Sequence, residues 1–484
     1  MKRFYHNFFF LFSLSVLLLC GCQKEEDLTP PPGTTDDSTT EESPGSPAED
    51  NSDYITVNHW IDNIMRDKYL WYEDIPERSS LDYGSHPFQF FESLLSEQER
   101  GEREGYYSTI EQLVTSPRSI NSVTLNYGME YILYELPGTS YYVARIIYVL
   151  PNSPAQEAGI KRGDWVIASN GTPITADNHT QLLSSGSRAV LSTMTYNPDT
   201  DLFDTGPDIR ISAARTVENN PIFLDTIYTY NSQKIGYLVY NSFVTGKNGY
   251  DDKSYLTEMV KCFERFKTQN VNQFILDLRY NGGGYIDCSQ WLGTGLAPAS
   301  SLDKTFAYML SNDKQENRKE ELLFIPEATS GNLDLSQLYV ITSSFTASAS
   351  ETVINSLRAY MNVTLIGTTT EGKNVGGYIY ENILLGYAIT PITFRVYNSL
   401  DQSDFNHGFV PDHVIDEMAS MEPFYDLGDT RETMLAKAIS LITGTAAPTN
   451  INVKSASHAM PVKISPLHSL SKYGNYGKLL KKEE

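Results

Sequence analysis

Histidine is scarce in this chain: eight in 484 residues, and none within fifty positions of the run TASASE, Thr346 to Glu351. That run places a cluster of hydroxyls between an apolar stretch, LYVITSSF, and a helical one, TVINSLRAYM. No neighbouring imidazole is at hand to take a serine's proton. Cysteine is equally sparse, with Cys20 and Cys22 near the start and only Cys262 and Cys288 in the body. In an exported protein these two permit a disulfide, but spacing alone does not pair them, and Cys262 lies on a helical apolar face that suits a buried hydrophobe. No cysteine and histidine cluster has metal-ligand spacing, so neither metal nor cofactor is expected. Basic residues are also few: 37 Lys and Arg against 60 Asp and Glu give a net charge of -23, which argues against a nucleic-acid partner.

What is present begins with a targeting segment. Residues 1–22, MKRFYHNFFFLFSLSVLLLCGC, carry two basic residues, a short apolar run and Leu19, Cys20, Gly21, Cys22. They resemble a bacterial lipoprotein signal, which implies lipidation of Cys22 and anchoring to a membrane of the bacterial cell envelope; a plain secretory signal or short anchor is the alternative. QKEED after Cys22 resembles an export signal for outer-membrane lipoproteins exposed at the surface. Residues 23–52 turn to Pro, Thr, Ser, Gly, Asp and Glu, too little apolar surface to fold, and read as a tether.

Residues 53–112 read as a helical N-terminal domain. Val57, Trp60, Ile61, Ile64 and Met65 fall at helical spacing before Pro76, and PFQFFESLL supplies a second short helix. Residues 113–217 shift to short strands. There PNSPAQEAGIKRGDWVIASNGTPI resembles a PDZ domain of bacterial proteases through Ser153, Pro154, Ala155, Ala158, Gly159, Gly163, Asp164, Asn170 and Gly171. The resemblance implies a peptide groove at LNYGMEYIL, with Tyr127, Gly128 and Met129 as peptide-binding residues on an exposed sheet edge; an interdomain brace is the other use of such a fold. Residues 218–443 alternate strands and helices, KIGYLVYNSF, SYLTEMVKCFERF, FILDLR, LYVITSS and VTLIG, as in an α/β layer of largely parallel strands. Residues 444–484 lose periodicity and are expected to have no fold.

Geometry offers the serine a base. A helix from Ala349 to Tyr360 carries the chain roughly 18 Å from Ser348, and VTLIG carries it roughly 17 Å back. The loop TTTEGKNVGG, with Lys373, therefore returns to the level of Ser348. In a parallel sheet, strand C-terminal ends share one edge, so Asn281, Gly282, Gly283 and Gly284 after FILDLR arrive there too. Lysine acts as a base only when neutral, about three units below its usual value of about 10.4. The Ala349 amide at the helix start and Gly283, with Gly284 in reserve, would hold the oxyanion.

TASASE, the lysine 25 positions after Ser348, and DLRYNGGG resemble the C-terminal processing peptidases, or tail-specific proteases, over residues 54–442. The resemblance implies a multidomain α+β protein with a ClpP/crotonase-like α/β peptidase core that cleaves protein substrates near their C-termini. Ser348 would be the nucleophile, Lys373 the general base, and Ala349 with Gly283 the oxyanion hole. Many members carry a glutamine four residues after the lysine, whereas this chain has Gly377. A catalytically silent peptide-binding lipoprotein is therefore the alternative function. Ser350 is the nearest rival nucleophile and Ser348 could simply cap its helix. Asp277 with Arg279 suits an ion pair, Glu351 the helix dipole, and His407 and His413 structural roles.

Overall fold

The structure, a computed structural model, describes residues 52–100, 105–113, 123–197, 199–200, 202–419, 421, 424–445, 463–470 and 478–481. The expected leader with Cys22, and nearly all of the tether, lie outside these residues. The periodic run beginning at Val57 forms α1 (Ser52–Lys68), and Val57, Ile61 and Met65 are buried because residues four apart share a helix face. Helix α2 (Pro87–Glu92) starts on Pro87, whose missing N–H would have no helical partner there, and buries Phe90 and Phe91. This helical segment does not stand apart. It shares one apolar cluster with Val375, Tyr387, Ile389 and Ile392, and β1 (Thr109–Gln112) pairs antiparallel with Tyr387–Thr390.

The next unit is an eight-stranded sheet. Strand β2 (Met129–Glu135) pairs antiparallel with β3 (Tyr142–Val149), which continues to β4 (Trp165–Ser169) and β5 (Ala189–Asn197), with α3 (His179–Leu183) between the last two in sequence. The PDZ-like residues act locally: Ser153 caps a helical turn by accepting the Gln156 amide at 3.1 Å, and Asp164 Oδ2 accepts the Lys161 amide at 2.8 Å.

In the C-terminal part, β6 (Ile222–Tyr230) pairs antiparallel with β7 (Gln233–Tyr240), which runs parallel to β8 (Gln273–Asp277). Helix α4 (Ser254–Thr268) links those two strands. After β8 come β9 (Gly284–Tyr285), α5 (Ile286–Leu296), β10 (Thr305–Ser311) and β11 (Lys319–Leu323). Strand β12 (Gln337–Thr342), α6 (Ala349–Arg358), β13 (Asn362–Gly367), β14 (Val375–Tyr378), β15 (Phe394–Asn398) and β16 (His413–Val414) follow, then α7 (Thr433–Thr443). The first sheet has the order β6-β7-β8-β12-β13-β16 and is parallel from β7 onward. Its period of two separates two cores: Ile235, Tyr237, Val239, Ile275, Ile341 and Ile366 pack on α7, while Leu238, Leu276, Leu338, Val340 and Leu365 join the cluster that holds α4, α5 and α6.

A second six-stranded sheet contributes Phe306, Met309, Phe394 and Val396 to that same cluster. Within it β14–β15, β15–β10 and β10–β11 are antiparallel. The multidomain α+β organisation stands, but the expectation of a ClpP/crotonase-like core read as one α/β layer is corrected here: an antiparallel sheet covers the helices. The tail also departs from expectation. Strand β17 (Lys463–His468) adds antiparallel to β2, and β18 (Leu479–Lys481) inserts between β9 and β14, parallel to both. Cys262 and Cys288 are free and buried.

Candidate active site

The parallel strands β8, β12 and β13 are neighbours, so the loops after them meet at one sheet edge. Residues Asn281–Gly284, Ser348 and Lys373 follow those three strands in that order. Ser348 precedes α6 with φ 66° and ψ -113°, a backbone that costs a non-glycine residue about 1–3 kcal/mol. The TASASE hydroxyls have separate fates. Thr346 Oγ1 donates to the Leu278 carbonyl at 2.9 Å and Ser350 Oγ to the Asn281 carbonyl at 2.9 Å. Ser348 Oγ is buried and has no hydrogen-bond partner among the described residues. It is not used as a cap: the half of the capping box that is formed is Glu351 Oε2 accepting the Ser348 amide at 2.8 Å.

Gly283 lies directly against the serine, at φ 106°, and a Cβ there would come within 2.7 Å of Ser348 Cβ. Asn281 holds this turn in place. Its Nδ2 donates to the Tyr240 carbonyl at 2.7 Å, its Oδ1 accepts the Gly283 amide at 2.9 Å, and its carbonyl accepts the Ala347 amide at 3.1 Å. The Gly283 amide is thus turned toward Asn281. The Gly284 amide donates to the Lys478 carbonyl at 2.8 Å. Ala349 opens α6, so its amide has no partner within the helix.

Lys373 is buried, and its loop is tied to the serine's. Glu351 accepts the Lys373 amide at 2.8 Å, the Gly372 amide at 2.7 Å and the Thr370 hydroxyl at 2.6 Å, besides Ser348. The Glu371 amide donates to the Thr346 carbonyl at 3.0 Å. Burial pushes the Glu351 carboxyl up to about 7, against the pull of its four donors toward the ionised form. Lys373 Nζ lies 4.3 Å from the centroid of the Tyr107 ring, a contact supplied by the N-terminal segment. Tyr107 is not visible in the local sequence, because it lies far along the chain from Lys373, whereas the Glu351 tie reaches the Lys373 loop across 19 to 22 residues.

The other candidates fall elsewhere. Tyr127 and Met129 are buried; the Tyr127 hydroxyl donates to the Ser187 carbonyl at 2.5 Å, and the Gly128 carbonyl accepts the Leu150 amide at 2.8 Å. The edge of β2 from Ile132 to Glu135 is paired with β17. Asp277 and Arg279 do form an ion pair at 2.8 Å, within a larger buried set with Arg162, Glu417 and Glu432. His407 is exposed and His413 lies in β16.

Gly377 has a steric reason. A Cβ at that position would come within 2.0 Å of the Pro391 carbonyl oxygen, so no glutamine side chain fits on this backbone. Glu351 holds the Lys373 backbone through its amide.

A crystal structure described as an S41 protease of Bacteroides fragilis matches 80% of this chain and 97% of its own, with TM-score 0.69 and 35% identity. The chain belongs to peptidase family S41. The family's profile matches residues 234–415, its N-terminal domain profile residues 56–109, and a PDZ profile residues 145–191. Carboxyl-terminal-processing proteases of Picosynechococcus and Synechocystis are 25% and 23% identical over 307 and 306 residues. Those alignments cover 62% of this chain in each case and 67% and 65% of the relatives. This S41 chain is therefore a serine-type peptidase of the carboxyl-terminal-processing family, with an associated PDZ domain. Its core is that of S41 peptidases and not the ClpP/crotonase-like one expected.

Proposed function

We propose that this S41 peptidase hydrolyses peptide bonds of protein substrates through a Ser348–Lys373 dyad. The observation that carries the reading is the state of Ser348: a buried hydroxyl with no hydrogen-bond partner among the described residues, on a strained backbone, packed on Gly283 and tethered through Glu351 to the loop of a buried lysine. Ser348 Oγ attacks the substrate carbonyl carbon while its proton passes to the neutral Lys373 amine. The carbonyl electrons move to oxygen, which the Ala349 amide and the glycine turn stabilise. Gly284 suits the second donor better than Gly283, whose amide is turned to Asn281. Collapse expels the amine, which takes the proton back from Lys373. Water then hydrolyses the acyl-enzyme by the same steps.

In this reading the PDZ domain recognises substrate chain ends, and the leader sequence supports export and a lipid anchor at Cys22 in the outer membrane, exposed at the surface. Cleavage of an unfolded casein tests the chemistry: Ser348→Ala and Lys373→Ala should each abolish it while leaving the fold intact. Turnover by Ser348→Ala equal to the unsubstituted enzyme would refute it. Loss of labelled palmitate in Cys22→Ser tests the anchor.

A further inference from the structure

Strands β9 and β14 do not pair with each other; β18 lies between them, with Gly284 opposite Leu479, Tyr285 opposite Leu480, Gly377 opposite Leu480 and Tyr378 opposite Lys481. Without those residues the second sheet would hold a slot two strand spacings wide, roughly 9–10 Å. One wall is the glycine turn beside Ser348. The other is the strand that leaves Lys373. A slot with two free backbone edges accepts an extended peptide by strand addition.

The occupant is placed as a substrate would be. The Lys478 carbonyl accepts the Gly284 amide at 2.8 Å. That oxygen lies 2.9 Å, and Ser348 Oγ 3.0 Å, from the point where a Gly283 Cβ would sit. The Lys478–Leu479 peptide bond therefore lies against Gly283, on which the serine also packs. Leu479 and Leu480 are buried in the main core cluster. Lys478 Nζ meets Glu111 Oε1 at 3.0 Å, and Lys481 Nζ meets Asp287 Oδ1 at 2.6 Å. The slot therefore offers two apolar sites between two acidic ones.

The same segment also covers the PDZ edge. Strand β17 pairs with β2, the Ser469 hydroxyl donates to Glu130 Oε2 at 2.6 Å, and the Ser469 amide donates to the Tyr131 carbonyl at 3.0 Å. Its chain direction puts the PDZ contact upstream of the Lys478–Leu479 bond.

We propose that the slot between β9 and β14 binds extended substrate segments of the basic–Leu–Leu–basic type, and that Lys478–Lys481 fills it as an internal competitor. This rests on the Ser348–Lys373 reading. Hydrolysis there adds water across the Lys–Leu bond, leaving a carboxylate on the lysine and an amine on the leucine.

The test uses the full chain and the doubly substituted Lys478→Glu, Lys481→Glu chain, which faces like charges across both rim contacts. Casein cleavage should rise about three- to tenfold in kcat/KM, mostly through a lower KM, because the competitor's occupancy falls. A free acetyl-GKLLKKEE peptide should inhibit casein cleavage by the unsubstituted chain and be cut between Lys and Leu, independently of how the variant folds. If casein is cut in a Ser348-dependent way but the variant gains nothing and the peptide neither competes nor is cleaved, the slot assignment fails and the dyad stands. If neither chain cuts casein, both fail.

Discussion

Glu351 Oε2 accepts the backbone amide of Lys373 at 2.8 Å and, on the same atom, the amide of Ser348 at 2.8 Å. One carboxylate thereby sets the spacing between two loops that follow different strands. Replacing it by Glu351→Gln puts an NH2 group among amide donors and breaks the tie. A misplacement near 1 Å costs about 100-fold in rate, so kcat should fall by about 10- to 100-fold with KM within about twofold. Steady-state kinetics on casein decide it. An unchanged kcat would show that the loops keep their register without Glu351.

The hydroxyls of Ser348 and Ser350 make opposite predictions. Ser350→Ala loses one hydrogen bond to the Asn281 carbonyl, about 1 kcal/mol, and should keep its kcat, because that carbonyl still accepts the Ala347 amide. Ser348→Ala should be inactive. Ser348→Gly should be inactive as well, yet more stable than Ser348→Ala by about 1 kcal/mol, since glycine relieves the positive φ. Thermal unfolding of the three variants, with activity alongside, checks both halves.

The parts of this site that follow from strand and helix lengths were legible in the sequence. The loops that carry Ser348, Lys373 and Asn281–Gly284 reach one sheet edge because a ten-residue helix and a six-residue strand lead out and back along adjacent parallel strands. What failed to show has a common cause. Tyr107 over Lys373, the second antiparallel sheet and the tail strands depend on partners far away in the chain, and a segment such as LLK carries no periodicity of its own. Its order comes from the two edges it joins. Gly377 was legible as a departure, but the reason for it, the Pro391 carbonyl, was not.

Gly377→Gln restores the side chain that many relatives carry, and it should not help. A Cβ there meets the Pro391 carbonyl oxygen at 2.0 Å, a backbone atom that cannot swing aside, so β14 must shift. Overpacking of this kind costs about 1–3 kcal/mol, and β14 leads away from Lys373. The expected outcome is a lower Tm together with reduced kcat. A variant as stable as the parent and more active would show that the backbone opens readily to admit the glutamine.

Acid should unlock the PDZ domain from the core. Arg162, from the PDZ domain, meets Glu417 at 2.5 Å, and Arg279, from the core, meets Glu417 at 2.8 Å and Glu432 at 2.9 Å, all buried. Burial works to raise both carboxyls, but the Arg162 and Arg279 guanidiniums at Glu417, and chiefly Arg279 at Glu432, more than offset it and hold them below the ordinary 4.5. Depressed carboxyls contribute stability that is present above 4.5 and is lost as pH falls toward their folded values. Glu351 has the opposite sign: its contribution is present below 4.5 and is lost as pH rises through about 7. Tm should therefore be highest between these limits and drop steeply below about pH 4.5. Arg279→Met leaves buried carboxylates without their partner, which costs about 3–5 kcal/mol, and should move the acid limb to higher pH. Arg279→Lys should not rescue it, because an ammonium cannot reproduce the forked contacts to Asp277 and Glu432. Thermal unfolding of both variants from pH 3 to pH 8 measures the shift, and an acid limb that stays in place would assign the acid sensitivity to other carboxylates.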